Sequence, residues 1–113
     1  MLKEVAQVTR RVLRDVDVLA RYGGEELVAL LPETSREDAF AAAERMRQGV
    51  AGLRLPFSSP GKPTVDVQCT ASIGVATYPP PGIDVQDALV AAADECLYAA
   101  KQNGRNQVQQ HEH

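Results

Sequence analysis

The sequence predicts an α+β fold, helices packed on an antiparallel or mixed sheet, and three observations predict it. Apolar residues recur at three- and four-residue steps in three separate stretches, which is the period of amphipathic helices. Between them lie VDVQCTASIGVATY, which alternates apolar and polar residues strictly, and LVALL, which is apolar on both faces. Glycine and proline clusters separate these stretches, so helices and strands interleave.

The chain opens on a helix carrying Leu2, Val5, Val8 and Val12 on one side, with Lys3, Glu4, Arg10 and Arg11 between them. DVDVLAR reads as a short strand, Gly23-Gly24 as a hairpin turn, and EELVALLP as a returning strand that should lie in the sheet interior. Thr34 followed by Glu37 forms a capping box for a helix whose stripe is Phe40, Ala43, Met46, Val50 and Leu53, running to about Gly52. LPFSSPGKPT reads as a loop. The long strand after it points Val65, Val67, Cys69, Ala71, Ile73 and Val75 one way and Asp66, Gln68, Thr70, Ser72 and Gly74 the other. PPPG interrupts the chain, Asp84 caps a helix carrying Leu89, Ala92, Cys96, Leu97 and Ala100, Gly104 ends it, and NQVQ forms a last strand. A ferredoxin-like βαββαβ unit begins with a strand in the middle of its sheet. This order begins with the helix that should follow that strand, so the first strand is expected to be missing.

With 113 residues, 44% of them hydrophobic, the chain makes one domain over 1–113 with no internal repeat. A net charge of -3 excludes global attraction to a nucleic-acid duplex or an anionic membrane, and the apolar runs are too short to span a bilayer. With no signal peptide pattern, the reading is cytoplasmic. Cys69 and Cys96 lack metal-ligand spacing and read as core residues in a reducing compartment, and His111 and His113 as a frayed tail.

RYGGEEL at 21–27 places two like charges, Glu25 and Glu26, beside Gly23 and Gly24. Adjacent carboxylates repel. They read either as a solvated hairpin tip or as oxygen ligands for a hard cation, with glycines that let the backbone approach a phosphate closely. Lys101 and Arg105 flank the helix end at Gly104, where cations meet either the helix dipole or an anionic ligand. In RDVD, Arg14 and Asp17 stand three apart, as a surface salt bridge or as a pair able to read guanine and phosphate; Arg45 lies on the next helix.

RDVD at 14–17, RYGGEEL at 21–27, ASIGVA at 71–76 and ADECLYAAKQNGRNQV at 93–108, in this order and spacing, resemble the GGDEF domain of the diguanylate cyclase family, whose signature is GG[D/E]EF. The resemblance covers nearly the whole chain. It implies a nucleotidyl-cyclase-type sheet and the condensation of two GTP into cyclic di-GMP in bacterial second-messenger signalling, with one GTP held by each domain of a homodimer. It also implies Mg²⁺ (or Mn²⁺) held by Glu25 and Glu26, with Glu25 alternatively helping to deprotonate the 3′-hydroxyl. By the same resemblance Lys101 and Arg105 contact GTP phosphates, and Arg14, Asp17 and Arg45 bind the inhibitory product. Leu27 replaces the family's phenylalanine, a packing change.

The family also supplies, before its first helix, a metal-binding aspartate, a phosphate-cradling turn and two guanine readers. The D-x-D-x-F-K and G-H-x-x-G-D patterns that mark that part do not occur here. The chain is therefore expected to be a partial GGDEF domain, weakly active or inactive alone. Two alternatives stand beside the cyclase reading: a non-catalytic cyclic di-GMP receptor using the R-x-x-D site, and a dimerisation element using an exposed sheet edge.

Overall fold

A computed structural model describes residues 2–21, 26–77 and 86–111. Its elements run α1 (Leu2–Val12), β1 (Val18–Arg21), β2 (Leu27–Leu30), α2 (Arg36–Ala51), β3 (Leu55–Phe57), β4 (Val65–Val67), β5 (Ile73–Val75), α3 (Gln86–Gln102) and β6 (Val108–Gln110). The α+β plan is as expected. Among the described residues, the strands form three two-stranded ribbons: β1 with β2 antiparallel, β3 with β4 antiparallel, and β5 with β6 parallel.

The helices hold these ribbons together. α1 packs on α2, α3 lies along β5 and β6, and α2 touches the same two strands. The core is drawn from Val8 of α1, Ala42, Ala43, Met46 and Val50 of α2, and Cys96 and Ala100 of α3. Val50 is 2% exposed, a burial that contributes roughly 1.5–3 kcal/mol. Burial also pushes the Cys96 thiol up, as befits a packed cysteine. Small residues set the approach of the layers. A Cβ added at Gly49 would lie 2.5 Å from Val8 Cγ1, and one added at Gly74 would run into the α3 backbone at Ala93 and Leu97.

Four local readings change. The α2 cap is Ser35, whose side chain accepts from the Asp38 N–H at 3.1 Å, and Thr34 has another partner described below. Phe40 is 37% exposed and stands at the margin of the stripe, while Ala42 is buried. LPFSSPGKPT begins with β3: Pro56 has no N–H to donate but sits in a two-stranded ribbon, and Gly61 at φ +76° with Lys62 N–H donating to Ser59 O turns the chain back. The long alternating strand is accordingly two strands in different ribbons. β4 belongs to the hairpin with β3, which leaves Val65 52% exposed, and β5 belongs to the pair with β6.

β2 pairs with β1 in the register Val18↔Leu30 to Arg21↔Leu27. Among the described residues β2 has no second neighbour, so the interior place expected for LVALL is not filled. Leu30 is 43% exposed and its partner Val18 52%. Gly23-Gly24, Glu25 and the Asp84 cap lie outside the described residues. No described helix is long and apolar enough to cross a membrane.

Candidate functional site

The first cluster forms where β2 begins and α3 ends. Glu26 immediately precedes β2, and Lys101 lies in the last turn of α3. Their side chains meet, Lys101 Nζ standing 3.8 Å from Glu26 Oε1, both part-exposed. Two residues singled out separately in the sequence are thus neighbours. A carboxylate and an ammonium held near each other but not in close contact can each turn to a partner of its own, a cation for Glu26 and a phosphate for Lys101.

Beyond Lys101 the chain closes α3 with a Schellman-type turn. Gly104 takes φ +107°, a conformation that favours glycine, and the Arg105 N–H donates to Ala100 O at 2.9 Å. Arg105 and Asn106 then remain left-handed at φ +64° and +48°. Gln107 Nε2 ties the turn internally by donating to Asn103 O at 2.8 Å and Arg105 O at 3.2 Å. Arg105 is exposed, and its guanidinium has no partner among the described residues. Among those residues no three His, Cys, Asp or Glu converge as a metal cage, and of the two predicted metal ligands only Glu26 is described.

The second cluster lies at the junction of α1 and β1. Asp17 is buried, its side chain 2% exposed, and it is saturated by Arg14. Oδ1 accepts from Arg14 NH2 at 2.9 Å, and Oδ2 accepts from the Arg14 backbone N–H at 2.7 Å. Those hydrogen bonds hold the Asp17 carboxyl below the usual carboxylate range against the opposing effect of burial, and Asp17 in turn raises the Arg14 guanidinium. Arg14 NH2 also donates to Pro32 O at 2.7 Å and to Thr34 Oγ1 at 2.8 Å. The turn between β2 and α2, with Glu33 left-handed at φ +50°, therefore wraps the guanidinium.

Arg14, Asp17 and Arg45 line one cleft of about 230 Å³, together with Thr34, Glu33 and Asp38. All three predicted residues are brought together. Sequence reasoning missed Thr34 as a partner of Arg14, because its spacing to Glu37 pointed to a cap. It also missed Arg47, which reaches from α2 to the turn after α3.

The family model described as "Diguanylate cyclase, GGDEF domain" matches residues 1–107. Diguanylate cyclase A of Treponema denticola is 41% identical over 110 residues, 96% of this chain and 28% of that protein, so the chain spans well under two thirds of this curated relative. Among solved structures, the diguanylate cyclase SiaD of Pseudomonas aeruginosa, in complex with its activator SiaC, superposes with a TM-score of 0.83 at 32% identity, over 96% of this chain and 39% of that one. The GGDEF domain of DgcB from Caulobacter crescentus, in complex with c-di-GMP, also gives 0.83, at 31% identity over 96% of this chain and 61% of that one.

Proposed function

Because the chain belongs to the GGDEF diguanylate cyclase family, we propose that it serves the condensation of two GTP into cyclic di-GMP, one GTP being held by each domain of a homodimer. The observation that carries the reading is the placement of Glu26 beside Lys101, with the exposed Arg105 one turn beyond. Lys101 and Arg105 take the triphosphate, and Glu26, together with Glu25, would hold the divalent metal that accompanies it.

The residues fit such a metal. Mg²⁺ is commonly held by one or two carboxylates together with substrate phosphates and water rather than by a cage made wholly of protein. When bound, Mg²⁺ or Mn²⁺ would neutralise phosphate charge and polarise the α-phosphate. The chain's own contribution is to orient the triphosphate by two cations and, at Glu25, to accept the 3′-hydroxyl proton if that carboxylate is not a ligand. GTP as substrate places the domain in the cytoplasm.

Purified chain incubated with GTP and Mg²⁺, followed by nucleotide chromatography and by equilibrium binding of GTP, tests this. Lys101→Ala and Arg105→Ala should each weaken GTP binding about tenfold. Undiminished binding in both variants would overturn the assignment of phosphate contacts.

A second reading is favoured by the cleft at Arg14, Asp17 and Arg45: a cyclic di-GMP site, inhibitory in a cyclase and sufficient for a receptor. Arg14 and Arg45 supply charge and forked donors for phosphate or guanine, and Asp17, with both oxygens occupied, braces Arg14. Titration with cyclic di-GMP in the absence of GTP separates this reading from the first.

A further inference from the structure

We propose that Arg47 is a positioning residue for Arg105, acting through the side chain of Asn106; this rests on the reading of Arg105 as a phosphate contact. Arg47 sits in the fourth turn of α2, far from Arg105 in sequence, and its guanidinium is fully directed. Nε donates to Glu44 Oε1 at 2.8 Å and NH2 to Glu44 Oε2 at 3.0 Å, a forked pair along one helix face. The remaining nitrogen, NH1, donates to Asn106 Oδ1 at 3.0 Å. Glu44 is further held by Gln48 Nε2 at 3.5 Å. The fork sets the plane of the guanidinium, so the position of NH1 is dictated by α2 rather than by the turn it contacts.

That turn needs an external tie. Arg105 and Asn106 both occupy the left-handed region, and a non-glycine residue stays there when its surroundings over-determine it. The bonds from Arg105 N–H and Gln107 Nε2 reach only α3 and the turn itself, and the Ile73 N–H, donating to Gln107 O at 3.0 Å, ties the chain to β5 only beyond Asn106. The Arg47 contact instead anchors Asn106 itself to α2, a helix packed on β5 and on the β6 that the turn leads into. Because Asn106 follows Arg105 directly, fixing its side chain restrains the peptide that aims the Arg105 guanidinium. An asparagine suits the task, since it tolerates left-handed backbone and offers an acceptor.

The test uses the 113-residue chain with GTP and Mg²⁺. Asn106→Gly keeps the left-handed freedom and removes the acceptor; Arg47→Met keeps the aliphatic stem and removes the donors. Each should lower the heteronuclear NOE at the Arg105 amide and raise the Kd for GTP about three- to tenfold, and the double variant should be no worse than either single one. Additive losses would mean that Arg47 acts by charge alone, and an unchanged NOE in both variants would mean that the turn holds itself; either result overturns the proposal. Weakened binding in Arg105→Ala with full affinity in Asn106→Gly and Arg47→Met would overturn the positioning role alone. Full GTP affinity in Arg105→Ala would overturn the phosphate reading and this inference with it.

Discussion

Arg14 and Asp17 clasp each other through both main chain and side chain: the Asp17 N–H donates to Arg14 O at 3.0 Å, and Asp17 Oδ2 accepts from the Arg14 N–H at 2.7 Å. The guanidinium then closes on the same carboxylate and on Pro32 O and Thr34 Oγ1. A long flexible side chain is thereby held at the mouth of the cleft before any ligand arrives, which lowers the ordering cost of binding. Arg14→Ala should weaken cyclic di-GMP binding about ten- to hundredfold in a calorimetric titration. Lys62→Ala, on the β3–β4 turn and outside the lining of the cleft, controls for loss of charge. Equal losses in the two variants would mean non-specific attraction.

Thr34→Val tests the wrapping of Arg14 separately. It removes the hydroxyl that accepts from Arg14 at 2.8 Å but leaves the Asp17 clasp and the Ser35 cap in place. Cyclic di-GMP affinity should fall by about two- to fivefold with little change in thermal midpoint. Loss as large as that of Arg14→Ala would show that Thr34 itself meets the ligand.

Stability should depend on pH through the same clasp. The folded-state value of Asp17 lies below its unfolded value, since the Arg14 hydrogen bonds favour the carboxylate. Its contribution is then fully present above the unfolded value, about pH 3.9, and is lost as pH falls through the lower folded value. Glu44, lowered by Arg47, acts in the same direction. Asp17→Asn should be less stable than the parent chain near neutral pH, and the gap should close as pH falls below the ordinary carboxylate range. Urea midpoints measured across that range check this. A gap that stays constant would mean that the carboxylate charge contributes nothing.

The sequence made the helices legible because each repeats its apolar residues over several turns, and Val8, Met46, Val50, Cys96 and Ala100 are buried as read. Where it misled, two local patterns competed for one stretch. The alternation from Val65 to Val75 fits one long strand as well as two short ones, and only the pairing of β3 with β4 and of β5 with β6 decides between them. Thr34 and Ser35 both suit a cap, and Arg14, distant in sequence, claims Thr34. The site residues were readable as motifs, whereas the meeting of Glu26 with Lys101 and of Arg47 with Asn106 depends on tertiary packing that spacing does not encode.

Glu26→Gln separates chemistry from folding. The pair with Lys101 is long and part-exposed, so losing it should change stability by no more than about 0.5 kcal/mol. An amide cannot replace an anionic metal ligand, so cyclic di-GMP formation by a protein carrying this domain should cease while cyclic di-GMP affinity is nearly unchanged. Parental turnover in the variant would remove Glu26 from the site.

Leu30 and Val18, cross-strand partners that are both exposed, lie on a ribbon whose β2 has no second neighbour among the described residues. Unpaired edges and apolar faces invite pairing with another chain. Sedimentation should show a mass that rises with concentration, and Leu30→Lys should shift it toward monomer. A parent chain that stays monomeric at high concentration would show that this ribbon is not an association surface.

Gly74 marks the contact that holds α3 on the sheet. A Cβ there would meet Ala93 O and the Leu97 N–H and would stand 2.9 Å from Leu97 Cα, all backbone atoms of a packed helix that cannot turn aside. α3 would have to lift from β5, loosening the segment that carries Lys101 and Arg105. Gly74→Ala should therefore cost about 1–3 kcal/mol or more and weaken GTP binding as well. Gly49→Ala is the contrasting case: its Cβ would press on Val8 Cγ1, the end of a side chain, and alanine gains up to about 1 kcal/mol over glycine inside a helix. The two effects oppose each other, so its net change should stay within about 1 kcal/mol. Urea unfolding with unchanged slope compares the two directly. Similar midpoints for both variants would mean that α3 can move away from β5 without loss, and that the close contact at Gly74 does not position the turn at Gly104.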